Sequence, residues 1–201
     1  LHTHLAETED ENRLCEQMHN CRPLDYLEDC GWLNARTWLA HGIFFNAGEM
    51  KRLSKARTSI SHCACSNQIL ASGCCPVCEM EAAGIGVGLG VDGSASNERG
   101  DLFLEVKQAL LVARVRGGPG AMTVRDAVRL GTRGGAEVLG RDDIGALAPG
   151  RRADFAVWRT DGLELGGADD PVAGLVFAGP HRVDRLYVGG REVVRDGHLV
   201  T

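Results

Sequence analysis

The sequence predicts an α/β fold: four βα units in parallel order, which is half of an eight-stranded barrel, followed by a small β region. Three observations predict it. Short apolar runs begin near residues 2, 37, 58 and 86, at intervals of 35, 21 and 28 residues, which leaves room for a crossover helix between parallel strands. Amphipathic stretches with helical periodicity fill the intervals. After Asp143 the texture changes to β-branched segments punctuated by Pro-Gly and Gly-Gly turns, the pattern of short antiparallel strands.

The elements follow in order. Residues 1–6 read as a strand, 9–18 and 23–30 as helices, and 36–41 (RTWLAH) as the second strand. A helix over 46–55 leads to a third strand over 58–63, and a loop follows it. Pro76 opens a short helix to residue 83, and 86–92 (GVGLGVD) is the fourth strand. A long helix covers 102–116, and another covers 124–139 with Thr123 as its N-cap. Two regions result: a partial barrel over 1–143 and a C-terminal β-sandwich segment over 144–201. Right-handed parallel connections give an α/β layer, and a half barrel leaves two raw sheet edges. The chain starts at Leu1, without an initiator Met and directly in a strand, so it reads as truncated at its start, a C-terminal fragment.

Composition removes several function classes. Lys and Arg total 22 against 27 Asp and Glu, a net charge of −5, which disfavours a nucleic-acid or anionic-membrane partner. No apolar run approaches the roughly 18 residues of a membrane-spanning helix. Glycine, at 27 of 201 residues, is enriched without the triplet period of collagen. Eight cysteines without a secretory signal read as free thiols of a reducing, cytoplasmic compartment. Cys63, Cys65, Cys74, Cys75 and Cys78 have some of the spacing of a structural zinc site, but buried thiols are the better reading.

Chemistry gathers at the strand ends. His4 and Glu7 close the first strand (H-L-A-E), His41 the second (L-A-H-G), His62 the third (S-H-C) and Asp92 the fourth (G-V-D-G). Active sites of parallel α/β folds lie at the C-terminal ends of the strands. One such histidine is ordinarily structural; four strand ends drawn from His, Asp and Glu point to a convergent metal or acid–base site. Imidazoles and a carboxylate suit a borderline divalent ion, and a second carboxylate can move a proton. A cysteine hydrolase with Cys63 or Cys65 as nucleophile and His62 or His41 as base is the weaker alternative, because adjacent positions seldom give thiol–imidazole geometry. Gly88-x-Gly90-x-x-Gly93 matches the dinucleotide fingerprint, but these glycines lie in and after a strand rather than opening a helix. Close approach of a helix is the better reading for them.

The segments LHTHLAET, WLAHG, His62-Cys63-Ala64-Cys65-Ser66-Asn67, LASG and GLGVDGSASN together resemble the amidohydrolase superfamily, in its cytosine/guanine deaminase–chlorohydrolase branch. The tail is similar to that branch's C-terminal β region, with its Leu-x-Pro-Gly-x-x-Ala-Asp-x-x-Val turn at Leu147 to Val157. The resemblance implies a distorted (β/α)8 barrel with one divalent metal, Zn2+ foremost and Fe2+ as the alternative. It implies His4 and Asp92 as ligands, Asp92 also as acceptor of the proton of the attacking water, Glu7 as donor to a ring nitrogen, and His41 as the group that polarises the water. His62 and Asn67 are pocket-shaping, substrate-binding candidates, and His2 a structural neighbour. The implied activity is hydrolytic deamination of a purine-like small molecule, 8-oxoguanine to urate and ammonia, with guanine and s-triazines as alternatives. The implied parent is a homo-oligomer, a dimer. The sequence departs from the family in two ways. The H-x-H pair of the first barrel strand is absent, so an inactive fragment is the reading of another class. Cys63-Ala64-Cys65 also replaces the usual Cys-Pro, which removes a residue that fixes φ and pre-forms a turn.

Overall fold

The computed structural model describes residues 1–179 and 182–200. Four strands, β1 (His2–Leu5), β2 (Trp38–His41), β3 (Ser59–His62) and β4 (Val87–Leu89), form one parallel sheet in sequential order. The register sets Leu5 beside His41, Ala40 beside Ser61 and His62 beside Leu89. The C-terminal ends therefore share one edge, and the four strand-end groups meet there.

Helices connect the strands: α1 (Glu9–His19), α2 (Pro23–Asp29), α3 (Ala47–Ala56), α4 (Ala64–Ile69) and α5 (Val77–Ala82), with α6 (Leu102–Gly117) after β4. Their starts are written in the sequence. The Thr8 side chain caps α1, and Asn46 with Glu49 forms a capping box on α3. The strands and helices close on Leu24, Leu39, Leu53, Ile60, Met80, Leu110 and Leu130, all fully buried. Each such side chain contributes roughly 1.5–3 kcal/mol of apolar burial.

Four features differ from the sequence expectation. Residues after His62 form α4 rather than a loop. The fourth strand stops at Leu89, which puts Asp92 on the loop beyond it. The expected continuous helix over 124–139 is α7 (Val124–Arg129), one π-helical turn (Leu130–Gly134) and α8 (Gly135–Val138). The added turn lays Gly134 against β4, where a Cβ would sit 2.3 Å from the Val87 carbonyl oxygen. A Cβ on Gly88 would in turn lie 2.9 Å from the Gly134 and Gly135 backbone. Close helix–strand contact is thus what Gly88 of the apparent dinucleotide fingerprint accommodates, whereas a Cβ on Gly90 would meet the Ser61 side chain and one on Gly93 nothing within 4 Å.

The fourth difference lies in the C-terminal stretch. Strands β5 (Phe155–Val157), β6 (Arg185–Val188), β7 (Arg191–Arg195) and β8 (His198–Leu199) make a single antiparallel sheet. Between β5 and β6 runs a helix the turn-rich texture conceals, α9 (Pro171–Ala178), capped by Asp170. Its Val176 is buried in the main core, and the Phe177 carbonyl accepts from Lys107 Nζ at 2.9 Å.

Candidate active site

Left-handed backbone occurs at or just beyond the C-terminal ends of three strands. Ala6 (φ 54°), His41 (φ 69°) and Asp92 (φ 62°) all adopt it without being glycine, a conformation L-residues take at a cost. At Ala6 that conformation is stabilised by Glu11, whose carboxylate accepts from the Ala6 N–H at 2.9 Å and the Glu7 N–H at 2.8 Å. Glu7 is thereby held facing the sheet edge, with Ser72 Oγ 3.4 Å from its Oε1.

The groups converge. His4 Nε2 lies 3.3 Å from Asp92 Oδ1, and His41 Nε2 lies 3.6 Å from both Glu7 Oε2 and Asp92 Oδ2. His4, His41 and Asp92 each offer a ligand atom, all within 4.8 Å of one another. The His4 and His41 rings are 4.9 Å apart. His2 instead stacks on Trp38 at 3.6 Å, as a structural neighbour.

The chemistry of the donor set suits a divalent ion. His41 Nδ1 is 2.8 Å from Asn67 Oδ1; an amide oxygen only accepts, so Nδ1 carries the proton and Nε2 presents its lone pair. That buried Nε2 has no hydrogen-bond partner, yet two carboxylates face it. A cation among these groups relieves that arrangement. Burial alone raises the Asp92 carboxyl, but hydrogen bonds from Ser66 Oγ (2.6 Å) and the Gly93 N–H, with His4 beside it, outweigh burial and hold it at about 2. Asp92 is therefore an anion at neutral pH, ready to ligate.

The two candidate substrate residues are both buried. Asn67 is buried and acts on His41. His62 is buried with both ring nitrogens unpartnered, and burial first, with the neighbouring His41 ring second, lowers its pKa to about 4. The cysteines do not assemble a metal group among the described residues, since the cluster found contains none. Burial pushes the thiols of Cys63 and Cys65 up to about 12, which disfavours the thiolate a cysteine hydrolase needs.

Sequence reasoning left several supporting residues without a role. Ser66 and Ser96 grip Asp92 Oδ2 at 2.6 and 3.3 Å; both lie in the quoted motifs, and the available signal was Ser96 four residues after Asp92 and Ser66 four residues after His62. Glu105 is fully buried on α6. Its signal was a carboxylate in the same helical stripe as Val106, Ala109 and Ala113.

The Amidohydrolase family matches residues 1–193. The chain is 52% identical over 197 residues to the 8-oxoguanine deaminase of Pseudomonas aeruginosa, covering 98% of this chain and 44% of that protein. It is 37% identical to an isoxanthopterin deaminase from an unknown prokaryotic organism, covering 98% of this chain and 44% of that protein. Among solved structures, the atrazine chlorohydrolase of Arthrobacter aurescens complexed with zinc superimposes with a TM-score of 0.95 at 35% identity, over 100% of this chain and 45% of its own. An adenosine deaminase of Xanthomonas campestris with bound zinc gives 0.95 at 30% identity, over 99% of this chain and 46% of its own. The chain thus spans about half the length of the relatives it matches, and it belongs to the amidohydrolase family.

Proposed function

We propose that the whole protein is a metal-dependent aminohydrolase that removes an exocyclic amine from a purine-like ring, 8-oxoguanine foremost. The observation that carries the proposal is the convergence of His4, His41 and Asp92 within 4.8 Å, with the Glu7 carboxylate 3.6 Å from His41. The 52% identity to an 8-oxoguanine deaminase supports the substrate.

His4, His41 and Asp92 would hold one divalent ion, and zinc in the structures of two relatives supports Zn2+. Such an ion, when bound, supplies a Lewis acid that makes water a usable nucleophile at neutral pH. The chain's own residues do the rest. Asp92 takes the proton of the attacking water. Glu7 delivers a proton to the ring nitrogen beside the amidine carbon as the C–O bond forms. When the tetrahedral intermediate collapses, Asp92 passes its proton to the amine, the hydroxyl proton returns to Glu7, the C–N bond breaks, ammonia leaves, and the ring keeps a carbonyl oxygen. For 8-oxoguanine the product is urate. His41, fixed by Asn67, sets the direction from which water approaches.

Among the described residues no helix is long and apolar enough to cross a membrane. The eight cysteines are free thiols, which supports a reducing, cytoplasmic setting. The test is a panel of 8-oxoguanine, guanine, isoxanthopterin, adenosine and s-triazines incubated with the full-length protein and assayed for ammonia. Release from 8-oxoguanine at the highest kcat/KM is expected; release from triazines alone moves the assignment to the chlorohydrolase side of the branch.

A further inference from the structure

Glu105 reaches none of the reacting groups, yet it is one of the few charged side chains buried in the molecule, at 0% exposure. A buried carboxylate is costly, and on the apolar stripe of α6 a leucine would pack without that cost. Its hydrogen bonds indicate what the cost sustains. Oε2 accepts from the Cys65 N–H at 3.1 Å, and Oε1 accepts from Asn97 Nδ2 at 2.8 Å.

Those two partners lead to the two ends of the site. Cys65 lies in the first turn of α4, a helix whose N-cap residue Cys63 makes no side-chain cap bond, so the Glu105 carboxylate satisfies the exposed N–H group from another helix. The next two residues of α4 are Ser66, which donates to Asp92 at 2.6 Å, and Asn67, which accepts from His41 at 2.8 Å. Asn97 also donates to the Val91 carbonyl at 2.8 Å, immediately before Asp92, and its neighbour Ser96 lies 2.8 Å from Ser66.

We propose that Glu105 is a positioning residue: by clamping the start of α4 to the loop of residues 91–97, it fixes His41 and Asp92 in register with each other. A single carboxylate can do this because both of its partners are donors. A glutamine of the same shape cannot, since its amide nitrogen would face one N–H donor. The proposal rests on the metal site described above, and its two arms are separable, His41 through Asn67 and Asp92 through Asn97.

The experiment uses the full-length protein, titrated with Co2+ alone, with the ring N–H signal of His41 read by imidazole 1H–15N spectra in metal-free protein. The variants are Glu105→Gln, Asn97→Ala and Leu110→Ala, the last a core change on α6 that touches neither arm. Glu105→Gln is expected to weaken Co2+ binding by about 10–100-fold and to shift the His41 signal. Asn97→Ala weakens binding while leaving the His41 signal in place, and it still answers the question if Glu105→Gln does not fold. Leu110→Ala lowers stability and leaves both readouts unchanged. Co2+ affinity unchanged in Glu105→Gln and Asn97→Ala overturns the proposal, as does a loss in Leu110→Ala equal to theirs. If the unaltered full-length protein binds no Co2+, the metal reading fails instead. The His41 signal then decides alone: a shift in Glu105→Gln supports the clamp, and an unmoved signal overturns it.

Discussion

Asn67 Oδ1 sits 2.8 Å from His41 Nδ1 and so decides which nitrogen of that ring faces Glu7 and Asp92. Removing it in Asn67→Ala leaves the buried Nδ1–H without a partner and frees the ring to turn. Partners of this kind are worth about 10–100-fold in metal affinity, so Zn2+ binding by Asn67→Ala, measured by competition with a chromogenic chelator, should weaken by that amount. Affinity equal to the unaltered chain would mean that Asn67 does not govern His41.

Glu7 is the proton donor in the proposed reaction and no member of the ligand group. Glu7→Gln in the full-length protein should therefore keep its metal content, measured by atomic absorption, while kcat falls by about 10²–10⁴-fold, the usual contribution of a positioned acid. Retained turnover removes Glu7 from the mechanism; lost metal makes it a ligand.

Chelation should separate the metal reading from the thiol reading. Dialysis of the full-length protein against a chelator is expected to abolish ammonia release and added Zn2+ to restore it. Alkylation by iodoacetamide should leave turnover largely intact, because the Cys63 and Cys65 thiols are buried and pushed up to about 12. The opposite pattern would revive the cysteine hydrolase.

Much of this architecture is legible in the sequence because local signals and tertiary demands coincide. Strand spacing gives the parallel order, Thr123 marks a helix start, and His4, His41 and Asp92 end apolar runs. What is not legible depends on distant partners. Helix α4 lacks a cap of its own, and Glu105, 40 residues on, supplies it. The π turn at Leu130–Gly134 arises from contact with β4, which no periodicity reports. Asn67 reads as a pocket residue because its contact with His41 spans 26 residues and exists only in the fold.

Gly134 and Gly135 adjoin each other but face different surroundings. A Cβ on Gly134 would meet the Val87 carbonyl at 2.3 Å, whereas one on Gly135 meets nothing within 4 Å. Gly134→Ala must push the π turn off β4, and overpacking of this kind costs about 1–3 kcal/mol or more. Gly135→Ala should stabilise by about 0.5–1 kcal/mol, because alanine loses less backbone entropy in a helix. Urea unfolding of the two variants should therefore shift in opposite directions, and a parallel shift would contradict the close contact.

His62 gives the stability a pH dependence. Burial lowers its pKa from 6.5 to about 4 in the folded chain, so between those values the unfolded chain binds the extra proton. Stability is therefore fully present above pH 6.5 and is lost as pH falls toward 4. With about 1.4 kcal/mol per pKa unit, the loss across that window is on the order of 3 kcal/mol. His62→Gln cannot titrate, and its unfolding free energy should fall less steeply between pH 7 and 4.5, by close to one proton in slope. Identical slopes for the variant and the unaltered chain would mean that the His62 ring is not buried in its neutral form.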